Sequence, residues 1–128
     1  MHRAALVILD VSSALIVCGG LYDLLTPRLP ANLIERCGHN EAAQEWVRAL
    51  LRALGGCLIA IGIAAGVLAK GPVRQGQGWS LALILALVLP AEGLNALGMR
   101  RVGSPFYVPL AFMPLTVAGV GMAAAGPL

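Results

Sequence analysis

Four long apolar stretches, Ala4–Leu25, Ala49–Ala69, Trp79–Leu97 and Pro105–Ala125, divide the chain, and polar residues gather between them. Each is close to the ~20 residues that a helix rising 1.5 Å per residue needs to cross the hydrocarbon of a bilayer. Lipid offers no partner to backbone N–H and C=O groups, so a crossing segment of this length is helical. A transmembrane barrel would need short segments of alternating polarity, and these runs do not alternate. The pattern predicts one all-α domain over residues 1–128, an integral membrane four-helix transmembrane bundle. Its helices are expected at about residues 4–25, 41–69, 79–98 and 105–125, with a short interfacial helix in the first loop.

The connections carry the local signals. Pro27 and Pro30 are expected to end the first helix, because neither can donate a backbone hydrogen bond. Ala31–Cys37 reads as one or two helical turns capped by Gly38, with Leu29, Leu33, Ile34 and Cys37 on one face that would lie along the membrane surface. Asn40 is a good N-cap, and Glu41 suits the positive end of the helix it opens. Lys70–Gly78 and Met99–Ser104 read as short turns. Trp46 and Trp79 stand at outer helix ends, where indole rings favour the headgroup region.

Composition agrees with the pattern. Hydrophobic residues make up 59% of the chain and charged ones 12%, against about a quarter charged in a soluble domain. The net charge of +3 is scattered, so nothing suggests a nucleic-acid partner. The lipid bilayer is the expected partner. Arg3 before an apolar run, with Leu15-Ile16-Val17-Cys18, superficially resembles a leader sequence. Val17 stands where a small residue is wanted and Asp10 interrupts the run, so a retained helix is expected. Most Lys and Arg residues lie in or beside the first and third loops: Arg28, Arg36, Arg48, Arg52, Arg100 and Arg101, against Arg3, Lys70 and Arg74 elsewhere. This asymmetry places those loops in the cytoplasm.

The three cysteines, Cys18, Cys37 and Cys57, have no metal-ligand spacing, and Cys18 and Cys57 read as small apolar residues. His2 and His39 have no partners at ligand spacing, so no metal site is expected. No cofactor is specified by any motif. Gly62 and Gly66 form a small-residue ridge that suits either packing inside the bundle or contact with a second copy or another membrane subunit. Pro90, Pro109 and Pro114 are expected to bend the last two helices and open a pocket between them.

Ionisable groups in a bilayer cost roughly 2.5–3.5 kcal/mol each on insertion scales, so they mark candidate sites. Connectivity places Asp23, Arg48, Arg52, Glu92, Asn95 and Tyr107 toward one end of the bundle, and Glu92 and Asn95 share a helix face. Arg48, Arg52, Glu92, Asn95 and Tyr107 are the candidate ligand-binding residues. Asp23, Glu92, Asp10 and Tyr107 are the candidates for acid–base chemistry. In the purely structural alternative, Arg52 pairs with Glu92 or Asp23, and Arg48 reaches to the headgroups. Asp10 lies nearer the other end, with no evident cationic partner.

The run Leu21-Tyr22-Asp23-Leu24-Leu25-Thr26-Pro27, followed after a loop by Arg52-Ala53-Leu54-Gly55-Gly56 opening a Gly-rich helix, resembles small four-helix bacterial membrane proteins of the broad DoxX-like group. The resemblance implies a bacterial inner-membrane protein, and some members of that group resemble membrane subunits of quinone-linked redox systems. It carries no catalytic motif onto particular residues. The reading that results is a small polytopic membrane protein, either an accessory subunit of a membrane complex or a binder of a lipid-like or quinone-like ligand. Its alternative is an intramembrane acid–base enzyme, an isomerase or cyclase acting on a hydrophobic substrate. A transporter would require oligomerisation, since no inverted repeat is visible.

Overall fold

The computed structural model describes residues 2–26 and 28–125, and it is an all-α bundle with no strand among the described residues. Pro27 and the side chain of His2 lie outside the described residues. The elements are α1 (His2–Leu25), the short α2 (Ala31–Cys37), α3 (Glu41–Leu68) running into a π-helical segment (Ala69–Val73), α4 (Trp79–Val102) and α5 (Tyr107–Ala125). All but α2 and the π-helical segment are long and apolar enough to cross a membrane, and the chain is a membrane protein of four spans.

Helix ends follow local chemistry. The Asn40 side chain accepts the Ala43 N–H at 3.1 Å and caps α3, as expected. Gly38, at φ +58°, closes α2. Two boundaries differ from the sequence reading. α4 does not stop near Gly98 but continues to Val102, because Gly103 is the residue that turns left-handed, at φ +75°. Gly103 N–H then donates to Arg100 O and Ser104 N–H to Met99 O, the paired bonds that end a helix on glycine. The segment after Ala69 is not a loop. It winds on to Val73 as a wide π turn, and Gln77 N–H reaches back to Pro72 O at 2.9 Å. Ala69 and Val73 are buried, and the wider turn gives the Pro72 ring room that an α turn would deny it. α4 and α5 run unbroken through Pro90 and Pro114, while Pro109 sits in the first turn of α5, where its missing amide would be unpaired in any case.

α1 is the hub. It packs most extensively on α3 and next on α5, and α5 in turn holds α4. Against α3 the backbones themselves meet. A Cβ added at Gly55 would lie 2.5 Å from Gly20 O, and one at Gly62 would lie 2.6 Å from Val17 Cγ2 and 2.9 Å from Ser13 O. The Gly62/Gly66 ridge packs against Ser13 and Val17 of α1 in the same chain. Toward α5, Gly119 admits Leu9, and a buried hydrogen bond of 2.6 Å joins Ser12 to Thr116. Thr116 donates its own proton to Phe112 O, so Ser12 is the donor between the helices. The core of Leu9, Ile16, Ala65, Ala69, Val73, Ile84 and Val88 fills the bundle toward the Arg74–Gly78 turn. Asp10, expected to lack a cationic partner, meets Lys70 at 3.8 Å. Both side chains are exposed, so this ion pair is a weak tie.

The α1–α3 contact can be tested by paired substitutions. Gly55→Ala should force the helices apart and cost about 1–3 kcal/mol, read as a lower thermal midpoint in detergent. Gly56→Ala meets nothing within 4 Å and should hold or raise the midpoint, because alanine favours a helix by about 1 kcal/mol over glycine.

Candidate functional site

α3 and α4 are joined by the short Arg74–Gly78 turn, and their packing is close near it. Away from it they diverge. A cavity of ≈ 750 Å³ lies between the middle of α3, from Val47 to Ile61, and the far half of α4, from Ala91 to Val102. The end of α1 (Tyr22, Asp23, Thr26), the residues Arg28, Leu29 and Pro30, and Asn32 and Leu33 of α2 complete its wall. The volume falls within the range of about 300–1,000 Å³ typical of small-molecule sites. This opening lies between α3 and α4, while α5 packs along α4.

α2 forms the roof of this cavity. Leu29 and Leu33 are buried and turned inward, so the apolar face expected to lie on the membrane surface is used mainly inside the bundle; Ile34 remains exposed. Asn32 fixes the roof. Its Nδ2 donates to Val102 O at 2.8 Å and to Ser104 Oγ at 2.9 Å, tying the first loop to the end of α4. Val102 O lies at the end of α4, where carbonyls lack intrahelical donors.

The cavity is graded. Leu50, Leu51, Leu54, Leu58, Ile61 and Leu94 give it an apolar length, while Asp23, Arg28, Asn32, Arg48, Arg52, Asn95 and Ser104 bring polar groups to its wall. Arg48 and Arg52 are one turn apart on α3 and share a face. Of the residues expected at the site, Asp23, Arg48, Arg52 and Asn95 line the cavity. Tyr107 does not: it is 67% exposed, with its ring set edge-on to Phe106. Asp10 lies elsewhere, beside Lys70. Arg28 and Asn32 line the cavity and were not singled out by the sequence as site residues; the one amide in an otherwise apolar turn of α2 is the signal that would have drawn attention to Asn32.

Glu92 occupies a separate position. It is 2% exposed, does not line the cavity, and its Oε2 has no hydrogen-bond partner among the described residues. Asn95, one turn on and on the same helix face, lines the cavity. Neither Glu92 nor Asp23 forms an ion pair with Arg52; among the described residues the only ion pair is that of Asp10 and Lys70. The expected Arg52 tie between helices is therefore not made. Among the described residues no three His, Cys, Asp or Glu side chains come together as a metal-binding group.

Comparison of the chain with protein-family models, with curated proteins and with solved structures finds no match.

Two substitutions probe this end of the bundle. Glu92→Met removes a buried oxygen without a partner, a group that costs about 1–3 kcal/mol, and should leave the thermal midpoint in detergent unchanged or higher. A marked fall would show that the carboxyl group has structural partners. Asn32→Ala should free the roof, lowering stability by about 1–2 kcal/mol and speeding amide hydrogen exchange in residues 29–37 and at Ser104, with α1 protection unaltered.

Proposed function

We propose that the protein binds a lipophilic ligand in the cavity between α3 and α4. The observation that carries this reading is the cavity itself: it is ≈ 750 Å³, it is walled along its length by Leu and Ile side chains, and it has polar groups on its wall. A space filler for it must be largely apolar, because water within a Leu-lined space finds few hydrogen-bond partners. The resemblance to the DoxX-like group points the same way, through its quinone-linked members, and leaves room for a role as an accessory subunit of a membrane complex. With this reading we place the protein in a bacterial inner membrane, with the first and third loops in the cytoplasm on the strength of their arginines.

A second reading is favoured by one observation. Glu92 is a buried carboxyl group with an oxygen unpartnered among the described residues, one helical turn from Asn95 on the cavity wall. An acid–base enzyme of the isomerase or cyclase type, acting on a hydrophobic substrate in this cavity, would use Glu92 or Asp23 for proton transfer. Ligand binding is the common requirement of both readings and is the first property to measure.

Gly98 provides the test. It lines the cavity, and a Cβ there meets nothing within 4 Å. Gly98→Phe should therefore fill space without displacing a neighbour. Native mass spectrometry after extraction in a mild maltoside should show one lipophilic molecule retained per chain. The Gly98→Phe variant should lose most of that occupancy while keeping its thermal midpoint. A wild-type chain that is empty under the mildest extraction, or an equal load on the variant, would sink the proposal.

A further inference from the structure

The cavity wall has an imbalance of charge that an apolar ligand alone would not answer. Three arginines, Arg28, Arg48 and Arg52, line the cavity, against one acidic residue, Asp23. None of the three donates a hydrogen bond to, or forms an ion pair with, another side chain among the described residues. Each guanidinium carries five N–H donors and no acceptor. The other polar groups of the wall, Tyr22, Thr26, Asn32, Asn95 and Ser104, are neutral, so they offer acceptors but no charge to balance the arginines.

The arginines are also grouped at one end. Arg48 and Arg52 stand on the first half of α3, just beyond Trp46, which is exposed at the outer end of the helix where an indole suits the headgroup region. Arg28 comes from the roof. From Arg52 to Ile61 the α3 wall continues inward for roughly 14 Å at 1.5 Å per residue, and its lining residues there, Leu54, Cys57, Leu58 and Ile61, are uncharged. The site is thus built as a cationic mouth above an apolar shaft.

We propose, resting on the ligand-binding reading above, that the occupant is an anionic amphiphile: an oxyanion head, phosphate or carboxylate, held by Arg28, Arg48 and Arg52, on a single apolar tail lying along Leu54, Leu58 and Ile61. A planar guanidinium offers an oxyanion two parallel N–H donors, a match that a neutral carbonyl or hydroxyl head cannot use fully. Arg28, Arg48 and Arg52 are exposed, as are Arg100 and Arg101 at the same end of the bundle; the latter two lie outside the cavity wall and serve as the control for general attraction of anions to a basic surface.

The test uses the full chain, stripped of lipid and held in a neutral maltoside, titrated by native mass spectrometry. The probes are palmitoyl-lysophosphatidate, palmitate, the neutral monoglyceride monopalmitin and inorganic phosphate. The two anionic amphiphiles should bind about tenfold or more tightly than monopalmitin, the difference made by about one charge-assisted hydrogen bond, and their order tells phosphate from carboxylate. The double substitution Arg48→Gln/Arg52→Gln should bring the anionic probes down to the level of monopalmitin, and the corresponding lysine variant should keep part of the preference. Arg100→Gln/Arg101→Gln should change nothing, and Gly98→Phe should weaken all three amphiphiles. Equal binding of the anionic and neutral amphiphiles, lost in Gly98→Phe but unmoved by the arginine substitutions, would overturn the head-group assignment and leave the ligand-binding reading standing. An equal loss on substituting Arg100 and Arg101 would overturn it in favour of surface attraction. Inorganic phosphate competing as well as lysophosphatidate would overturn the need for a tail. Binding of no amphiphile at all would overturn both readings together.

Discussion

The arrangement of the bundle depends on the contact between two backbones, where Gly20 of α1 and Gly55 of α3 leave no room for a Cβ. In lipid the hydrophobic effect does not press helices together, so association rests on close packing and on hydrogen bonds between helices. α1 uses both. It lies against α3 through glycines, and it meets α5 through Leu9 on Gly119 and through the Ser12–Thr116 hydrogen bond. α5 then carries α4. With α1 tight against α3 and α5, α4 meets α3 directly only over a limited contact, and the remaining space is the cavity.

The fold was legible because the solvent dictates it. A run of apolar residues long enough to cross a bilayer has helix as its available structure, and the four spans emerged from that alone. What escaped was set by longer-range contacts. Gly98 and Gly103 are both glycines near the end of α4, and the chain alone does not say which of them turns left-handed. Lys70-Gly71-Pro72 reads as a loop, yet burial of Val73 keeps the backbone winding past it. The glycines of the second span announced a close approach, and only the structure names Gly20, Val17 and Ser13 as what approaches.

The site was legible in one dimension. Alternating helix direction fixed which residues share an end, and Asp23, Arg48, Arg52 and Asn95 do meet one cavity there. Rotation about each helix axis was not legible. α5 carries only Thr116 to mark its inward side, and its partner Ser12 is named only by the structure, so Tyr107 gave no sign that it points outward. Glu92 and Asn95 share a face in sequence, yet small differences in angle put Asn95 on the cavity wall and Glu92 behind it. Arg28 entered the sequence argument only as a topological charge, although the roof brings it to the wall of the cavity.

The Gly20–Gly55 crossing also acts as an origin of coordinates for the charges. Asp23 follows Gly20 by three residues and Arg52 precedes Gly55 by three, and the helices run in opposite directions, so both side chains lie about one turn beyond the crossing on the same side. Their depth in the membrane is therefore set together. Inserting one residue between Gly20 and Asp23, or between Arg52 and Gly55, would turn that charge by about 100° around its helix while the crossing stayed in place. An insertion after Gly38, outside the spans, would move neither. The chain can thus tolerate length changes in its loops, while the three-residue intervals flanking the glycine pair allow none.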